Sequence, residues 1–526
     1  MNYLDAKSAP SREDRLHASI AFGGTCSQVF TCDRALAAGC TNLSSRSFAQ
    51  AQGCQFTLSL AILNSIRNAV VIMHAPIGCG ICSTGNIGQN KTFKQLRNPA
   101  SEGLIWLSTN LDEYDVIHGG EKKLREAVIF ADREFRPETI IVCNGCVPAL
   151  IGDDIDNILS DLQTQTAAIL TPIHCEGFKT KLMATAYDTV YHGILKKYVR
   201  QPNRRLPLWE SDVDKFRAEY RKNRNVNIFN VGSMSRPDEV EIRRLLEGLG
   251  LNVTFLPCYA EPEDFQYALE TSLNVSICGT HDDYFIGHLS EKYGLPFVVD
   301  TIPIGRKNTG RWLRKIAARF GFDAEAERLI AAENSALDEA LAPFRAVLTG
   351  KKAYLAGGEV RIVATAEIIQ DLGMEVVGFK AHHYDKFIEP IFPALNDIDG
   401  VQFSVATNQP FEMSNILNRL KPDVLITHVG GNNIAAKHGL PLLPLFGPTY
   451  NYCGYSGVFE VARRLNMKVR NAEFNKQIAW NTPLPFRKEW YEKEPFSYIR
   501  YADEQDVAIA HEERPRIIPR TLASVS

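Results

Sequence analysis

Short apolar runs rich in β-branched residues alternate with longer stretches of helical periodicity along most of the chain. This alternation is typical of α/β domains, in which the strands of a parallel sheet are buried on both faces. The apolar runs predict strands at Ala69–His74, Thr139–Cys143, Ala168–Ile173, Val226–Gly232, Leu251–Leu256, Leu273–Cys278, Pro296–Asp300, Lys352–Gly358, Glu375–Phe379, Val401–Ala406, Val424–His428 and Leu442–Leu445.

The strands fall into three blocks, and 526 residues are too many for one hydrophobic core. We predict α/β domains over residues 1–225, 226–350 and 351–526, with ligand-binding loops at the carboxyl ends of the strands. A charged helix from Ser211 to Asn225 is expected before the second domain. The residues after Pro483 are expected to form an arm or extension.

Bulk composition excludes some classes of protein. The hydrophobic content of 45% and charged content of 23% are ordinary for a globular chain, and a net charge of −3 gives no reason to expect nucleic-acid or membrane binding. The first residues lack the apolar core of a signal peptide. Twelve cysteines are too few for a disulfide scaffold of this length, so we expect a cytoplasmic protein whose clustered thiols bind metal.

Three cysteines of the first block lie in turns shaped by glycine or proline. Cys54 follows Gly53, Cys79 lies in His-Ala-Pro-Ile-Gly-Cys-Gly, and Cys146 opens Cys-Val-Pro-Ala-Leu-Ile-Gly-Asp-Asp. Thiolate is a soft ligand suited to iron–sulfur clusters, and turns let backbone N–H groups point at anionic sulfur. The intervals fit neither a zinc ribbon nor a small ferredoxin. We therefore expect three loops that converge on one large cluster.

Neighbouring residues leave alternatives open. Cys143 and Cys146 form a Cys-x-x-Cys pair, which also suits a redox or zinc site, but we favour Cys146 as the ligand and Cys143 as a core thiol. Cys82 follows Cys79 by three residues and is interpreted as a neighbour of the cluster. Asp153 and Asp154 are both expected to cap the following helix.

These motifs, with His118-Gly-Gly-Glu-Lys-Lys-Leu124 between them, resemble the α-type subunits of the nitrogenase component 1 family. Cys278-Gly-Thr-His-Asp-Asp-Tyr284, followed by Glu291-Lys-Tyr-Gly-Leu-Pro296, resembles the segment whose cysteine holds one end of the family's catalytic cofactor. The resemblance implies three Rossmann-like parallel-sheet domains.

The resemblance also implies cofactors and partners. Cys54, Cys79 and Cys146 would be this subunit's half of a P-cluster (8Fe-7S type), completed by a β-type subunit in an α2β2 heterotetramer. Cys278 would bind a large iron–sulfur catalytic cofactor. An ATP-dependent iron–sulfur reductase would supply electrons, because this chain has no Gly-x-x-x-x-Gly-Lys-Ser/Thr loop of its own.

Departures from the family pattern concern the cofactor. The family places a histidine at the cofactor's far end, but Pro444–Gly457 contains none, and Cys453 is the soft ligand available there. Packing, or contact with a substrate sulfur, is the alternative role for Cys453. Met183 and Tyr187 replace a glutamine and a histidine. Val429–Asn433 replaces the segment of the lysine that holds homocitrate, which implies a cofactor without it.

These departures favour methylthio-alkane reductase among nitrogenase-like enzymes. It would cleave a C–S bond of a small substrate, such as dimethyl sulfide or 2-methylthioethanol, to a hydrocarbon and methanethiol, a role in sulfur metabolism. Tyr187, His281 and His383 are candidate proton sources, although His281 could equally be a surface or capping histidine. The alternatives are a cofactor-assembly scaffold, an unusual nitrogenase that reduces dinitrogen, and a tetrapyrrole reductase subunit.

Overall fold

The computed structural model describes residues 6–16, 18–29, 44–49, 54–63, 66–81, 95–96, 99, 105–199, 223–230, 234–257, 260, 265, 268–428 and 431–501. The chain forms two compact units. The first comprises Met1–Ser11, Cys54–Thr301 and Leu313–Ala326, and the second comprises Arg12–Gly53, Ile302–Trp312 and Glu327–Ser526. Because both units are assembled from separate segments, the domain limits 1–225, 226–350 and 351–526 stay predictions. The predicted helix from Ser211 lies almost wholly outside the described residues.

The strands of the described residues are, in chain order, β1 (Phe22–Thr25), β2 (Ser45–Arg46), β3 (Ala69–His74), β4 (Ile105–Ser108), β5 (Thr139–Asn144), β6 (Ile169–His174), β7 (Asn225–Asn230), β8 (Asn252–Pro257), β9 (Leu273–Ser276), β10 (Phe297–Val298), β11 (Lys352–Gly357), β12 (Glu375–Ala381), β13 (Gln402–Val405), β14 (Val424–Thr427), β15 (Leu442–Pro444) and β16 (Ile499–Arg500).

The α-helices are α1 (Arg12–Leu16), α2 (Gln55–Leu63), α3 (Ile77–Ile81), α4 (Glu113–His118), α5 (Glu121–Phe135), α6 (Cys146–Ile151), α7 (Ile155–Leu162), α8 (Thr185–Lys197), α9 (Arg236–Glu247), α10 (Gly279–Tyr293), α11 (Arg306–Ala318), α12 (Asp323–Leu348), α13 (Glu359–Asp371), α14 (Pro410–Leu420), α15 (Asn432–Lys437), α16 (Gly454–Arg470), α17 (Ala472–Trp480) and α18 (Lys488–Glu492). In the part of the chain that the structure describes, 3₁₀ helices span Gly177–Lys179 and Lys386–Ala394.

The first unit contains two parallel sheets. One has the order β4-β3-β5-β6 and the other β10-β9-β7-β8. Every residue of β3 and β5 is buried, because helices cover both faces of a parallel sheet. Apolar side chains of α5 and α7, such as Leu124 and Ile158, pack on Val70 and Ile140 of the first sheet.

The second unit contains a six-stranded sheet of order β1-β13-β12-β11-β14-β15. Its strands are parallel except β1, which pairs antiparallel with β13 at the edge. Helix α13 packs on β11 and β12 and is buried from Glu359 to Ile369. The carboxyl ends of β11, β12 and β14 therefore meet at one edge, where open α/β sheets bind ligands.

The strand predictions are confirmed within the described residues, with ends that move by a few residues; Val231 and Gly232, the end of one predicted strand, lie outside the described residues. The pattern missed β1, β2, β4 and β16. Gly23 and Gly24 dilute the apolar pattern of β1. Strands β2 and β16 are two residues each and pair antiparallel across most of the chain length, so neither carries a local signal.

Residues 484–501, part of the predicted arm or extension, make hydrogen bonds and ring contacts within the second unit. The indole of Trp490 donates to the carbonyl of Phe411 at 2.8 Å, and the amide of Asn415 donates to the carbonyls of Trp490 and Lys493 at 2.6 and 3.0 Å. The aromatic ring of Tyr498 packs on Phe48 with centroids 4.4 Å apart. Residues 502–526 lie outside the described part. No helix within the described residues is long and apolar enough to cross a membrane.

Candidate cluster and cofactor sites

The turns that carry Cys79 and Cys146 follow neighbouring strands of the first sheet. Strands β3 and β5 pair in parallel up to His74 and Asn144, so both chains turn at the same edge. The Gly145 N–H donates to the His74 carbonyl at 3.0 Å, and a Cβ on Gly145 would lie 2.8 Å from the Cβ of Ala75. Glycine is required for this contact, which places the turn of Cys146 against the turn of Cys79.

Cys54 reaches the same edge from α2, which packs on α3. Its sulfur lies 2.7 Å from the position that a Cβ would occupy on Gly177, and the Cys146 sulfur lies 3.6 Å from that position. Because glycine has no side chain, Gly177 leaves the space that both sulfurs occupy. The structure brings Cys54 and Cys146 together at Gly177 and places the turn of Cys79 beside that of Cys146.

A hydrogen-bond network joins the three glycine-rich motifs that contain His74, Gly120 and Asp153. The ring of His74 pairs through Nε2 with Asp153 at 3.0 Å and through Nδ1 with the Thr109 hydroxyl at 3.1 Å, and Asp153 also accepts from the Gly120 N–H at 3.1 Å. Asp154 alone caps helix α7, accepting from the Asn157 N–H. The expectation that Asp153 also caps this helix is wrong, because its carboxylate is turned to His74 and Gly120.

Cys143 is a fully buried residue of β5, as interpreted from the sequence. It contacts the thiol of Cys175, and burial together with Cys143 holds the pKa of Cys175 well above its ordinary value. Cys82 lies outside the described residues.

Apolar side chains surround the cysteine turns on the exposed surface. Ile77 precedes Cys79 by two residues, Leu150 follows Cys146 on α6, and Phe178 adjoins Gly177; they are 51%, 72% and 52% exposed. Helix α4, which packs on α6, adds Ile117 at 76%. Cys54 is itself exposed and Cys79 and Cys146 partly so. Such a patch is typical of a surface that another protein covers.

Cys278 lies at the end of β9 and is the N-cap residue of α10, 2% exposed. Its N–H donates to the Ser276 hydroxyl at 2.9 Å, and that hydroxyl donates to Asp282 at 2.7 Å. The Tyr191 hydroxyl donates to the other oxygen of Asp282 at 2.7 Å. The buried carboxylate of Asp282 thus fixes the turn that presents Cys278. The Thr280 hydroxyl lies 2.9 Å from the Cys278 sulfur.

Two of the predicted proton sources lie together beside Cys278. Helix α8 packs on α10, and the rings of Tyr187 and His281 stack with centroids 4.0 Å apart. Nδ1 of His192 pairs with the Tyr284 hydroxyl at 2.9 Å, and burial lowers the pKa of His192 to about 4. Helix α8 also packs on α2, so one helix connects the Cys54 turn with the Cys278 turn.

The remaining predicted residues lie in the second unit. Cys453 is fully buried at the N-cap of α16, and the preceding residue, Tyr452, accepts a short hydrogen bond from the buried guanidinium of Arg361. His383 follows β12 and is also buried, paired with carboxylates rather than exposed. The roles of Cys453 and His383 stay predictions. Val429 and Gly430, in the segment compared with the family's lysine, lie outside the described residues.

The family model for nitrogenase component 1 type oxidoreductases matches residues 54–470. This chain belongs to that family. Among its relatives is the nitrogenase iron-molybdenum cofactor biosynthesis protein NifE of Nostoc sp. (strain PCC 7120), 30% identical over 78% of this chain and 82% of that protein. Another is the nitrogenase molybdenum-iron protein alpha chain of Methanosarcina barkeri, 26% identical over 64% of this chain and 61% of that protein.

A solved structure, titled nitrogenase Cp1 at pH 5, has the same fold. It aligns with a TM-score of 0.67 and 21% identity over 84% of this nitrogenase component 1 chain and 92% of its own. The α/β architecture of Rossmann-like parallel sheets predicted from the resemblance is therefore confirmed, and so is membership of the family.

The donor set of this family member fits an iron–sulfur cluster. Three thiols on converging turns supply soft ligands, and Gly177 leaves room for two of their sulfurs. The positioning groups His74, Asp153, Asp282 and Gly177 were not predicted in these roles. A His and an Asp inside glycine-rich motifs are a detectable signal in the sequence, whereas a glycine that faces a sulfur is not.

Proposed function

We propose that this chain is the catalytic subunit of an ATP-dependent nitrogenase-like reductase that cleaves C–S bonds of methylthio-alkanes. Cys54, Cys79 and Cys146 would hold its half of a P-cluster, with a β-type subunit covering the exposed apolar residues around them. Cys278 would hold a large iron–sulfur cofactor without homocitrate. When bound, these groups supply single-electron transfer and a site for sulfide coordination.

The stacked pair of His281 and Tyr187 next to Cys278 is the observation that carries this proposal. A protein that only stores a cofactor needs residues that bind it, whereas a reductase also needs a proton donor within reach of the reacting atom. His281 lies three residues beyond Cys278 on the first turn of α10, and its ring rests on the phenol of Tyr187. An imidazole can carry and release a proton, so His281 acts as the donor and Tyr187 orients it.

The proposed reaction balances in atoms and electrons. Cleavage of dimethyl sulfide to methane and methanethiol breaks one C–S bond and consumes two electrons and two protons. One proton ends on carbon and the other on the methanethiol sulfur. The electrons come from the ATP-dependent reductase, and His281 delivers one of the two protons.

Turnover by the purified complex tests the proposal. The complex, with its reductase and ATP, is expected to release methane from dimethyl sulfide and ethylene from 2-methylthioethanol, each with methanethiol, and no ammonia from dinitrogen. Gas chromatography measures the hydrocarbons, and metal analysis gives the iron, molybdenum and vanadium content. Ammonia formation without hydrocarbon, or a complex without iron, would contradict it.

A cofactor-assembly scaffold is the second candidate, favoured by the identity of 30% to the biosynthesis protein NifE. A scaffold also holds iron–sulfur clusters with cysteine, so Cys278 does not separate the two functions. It passes its cofactor to another protein and turns over no sulfide. Transfer of iron–sulfur cofactor from the purified complex to an apo-nitrogenase, without hydrocarbon release, would establish the scaffold and exclude the reductase.

Thr280→Val is expected to make the reduction potential of the Cys278-bound cofactor more negative. The Thr280 hydroxyl lies 2.9 Å from the Cys278 sulfur, and only the hydroxyl can donate once that sulfur is a metal-bound thiolate. A donated hydrogen bond stabilises the more negative, reduced state. Redox titration followed by electron paramagnetic resonance measures the shift. Thr280→Ser keeps the donor and is expected to keep the potential, and equal potentials in the valine and wild-type complexes would contradict the assignment.

A further inference from the structure

A buried cluster of charged side chains lies at the carboxyl edge of the six-stranded sheet. Glu359 begins α13, His383 and Asp385 follow β12, and Arg12 belongs to α1; all are within the second unit. Their exposed fractions are 1%, 5%, 3% and 0%. Charged groups are rarely buried this completely unless they are paired.

Arg12 and Asp385 form the fixed ion pair of this cluster. Oδ2 of Asp385 accepts from Nε and Nη2 of Arg12 at 3.0 and 2.9 Å, and Oδ1 accepts from the Phe387 N–H at 3.0 Å. Burial alone would raise the pKa of Asp385, but Arg12 and His383 outweigh it, and the carboxyl stays ionised. The charges of Arg12 and Asp385 therefore cancel.

His383 lies between two carboxylates. Its Nε2 is 3.2 Å from Asp385 Oδ2 and 3.1 Å from Glu359 Oε1. The bond to Asp385 requires a proton on Nε2, which fixes the imidazole as a donor at that nitrogen. Beyond this approach, neither oxygen of Glu359 has a hydrogen-bond partner among the described residues. Its own backbone N–H and the nearby charges of His383 and Arg12 favour the ionised Glu359 carboxyl, but burial outweighs them.

Charge counting shows how many protons the cluster keeps. With Arg12 and Asp385 cancelled, a neutral imidazole beside an ionised Glu359 would leave one uncompensated negative charge in a dry interior. One added proton removes it, whether the proton resides on Glu359 or makes His383 an imidazolium. Burial accordingly raises the pKa of Glu359 to about 7, while the carboxylates of Glu359 and Asp385 raise the pKa of His383 against the effect of its burial.

A metal ion is a poorer occupant than a proton. The ligand atoms of Glu359, His383 and Asp385 do lie within 4.8 Å of one another. The oxygen of Asp385 that faces His383, however, already accepts twice from the guanidinium of Arg12. A divalent cation bound to that oxygen would lie against a permanent positive charge.

We propose that Glu359 and His383 form a buried store for one exchangeable proton, which the pair releases at the carboxyl edge of this sheet during reduction. The proposal rests on the reductase function proposed above, which consumes protons. Arg12 and Asp385 are positioning residues that hold the His383 ring. The neighbouring His382 does not compete for the proton, because burial, Lys380 and His383 lower its pKa to about 3.

The pH dependence of folding follows from the sign of these shifts. The pKa of Glu359 is raised in the folded chain from 4.5 to about 7, so the folded state binds a proton that the unfolded state releases. The stability contributed by this proton is fully present below pH 4.5 and is lost as the pH rises through about 7. Among the described residues, Arg12, Asp385 and His382 are the other charged or titratable groups that face the pair, and Arg12 and Asp385 keep their charges over this range.

Glu359→Gln tests the store by infrared spectroscopy of the full chain in its purified complex. The wild-type minus Glu359→Gln spectrum is expected to contain a protonated-carboxyl band that disappears as the pH rises through about 7. His383→Gln removes the imidazole that lowers the pKa of Glu359, so the band should persist to higher pH. Denaturant unfolding at several pH values measures how the free energy of unfolding depends on pH. In Glu359→Gln this dependence should decrease by an amount equivalent to the binding of up to one proton.

Glu367→Gln is the matched control. Glu367 is a second buried glutamate of α13 with a pKa raised by burial to about 7, but it accepts from the backbone N–H groups of Lys307 and Asn308 outside the cluster. The Glu359 band should survive this substitution. A wild type that shows at pH 5 neither the protonated-carboxyl band of Glu359 nor an imidazolium band of His383, or a stoichiometric divalent ion that Glu359→Gln removes, would overturn the store.

The functional half of the proposal has a separate readout. If the store supplies protons to the reaction, the wild-type rate of hydrocarbon release should fall with rising pH over the same range in which the infrared band disappears. Glu359→Gln should lower the rate several-fold and remove this pH dependence. An unchanged profile would overturn delivery. If the complex released no hydrocarbon but the band titrated as described, the reductase function would fail while the store itself stood.

Discussion

Cys278→Ala is expected to abolish hydrocarbon release and to yield a complex that lacks the catalytic cofactor but keeps the cluster at the other cysteines. Cys278 is the sole sulfur ligand presented by the turn between β9 and α10 in the described residues, and Ser276 and Asp282 hold that turn. Removing a soft ligand from a buried site leaves nothing in the turn to replace it, since Thr280 is a hard donor. Iron content and electron paramagnetic resonance of the reduced complex measure the loss.

Cys143→Ala serves as the control for this substitution. Cys143 is equally buried but belongs to the interior of β5, so its replacement removes a core thiol and no proposed ligand. The Cys143→Ala complex should keep the electron paramagnetic resonance signals of the cluster and of the cofactor, and it should keep its activity. Its free energy of unfolding should decrease slightly. A Cys278→Ala complex that retained its cofactor and turnover would sink the assignment of Cys278.

The fold could be predicted from sequence because its information is local. Buried parallel strands are continuous apolar runs, and β3, β5 and β14 are read directly from such runs. The missed strands depend on partners far along the chain. Strand β1 is an edge strand with two glycines, and β16 pairs with β2, which lies far away in the sequence. These strands therefore form because the tertiary structure brings their partners close, not because of a local sequence pattern.

The ligands could be predicted, and their surroundings could not. Cysteine and glycine-rich turns have a chemical signature that points to Cys54, Cys79, Cys146 and Cys278. Asp153 looked like a helix cap because an acidic pair before a helix usually caps it, but the buried ring of His74 competes for its carboxylate. The pairing of Arg12 with Asp385 joins opposite regions of the chain, and no spacing rule predicts it.

Gly177→Ala is expected to remove most of the cluster held by Cys54 and Cys146 without touching a ligand. The added Cβ would lie 2.7 Å from the Cys54 sulfur, well inside contact distance, and 3.6 Å from the Cys146 sulfur. Cys54 immediately precedes α2, and the side-chain amide of Gln55 fixes this end of the helix by donating to the Glu176 carbonyl at 2.6 Å. The exposed Cys54 side chain must therefore rotate to relieve the contact, which takes its sulfur out of the position that cluster binding requires.

Gly78→Ala is the matched control, since it lies next to Cys79 in the same group of turns and its added Cβ would meet nothing within 4 Å. Iron analysis, together with the cluster's electron paramagnetic resonance signal after oxidation, should show a large loss in Gly177→Ala and little change in Gly78→Ala. The Gly177→Ala complex should keep the Cys278-bound cofactor, because Gly177 faces Cys54 and Cys146. It should nevertheless lose hydrocarbon release, since electrons would no longer reach that cofactor. A Gly177→Ala complex with full iron content and activity would show that the two sulfurs do not share a cluster at this position.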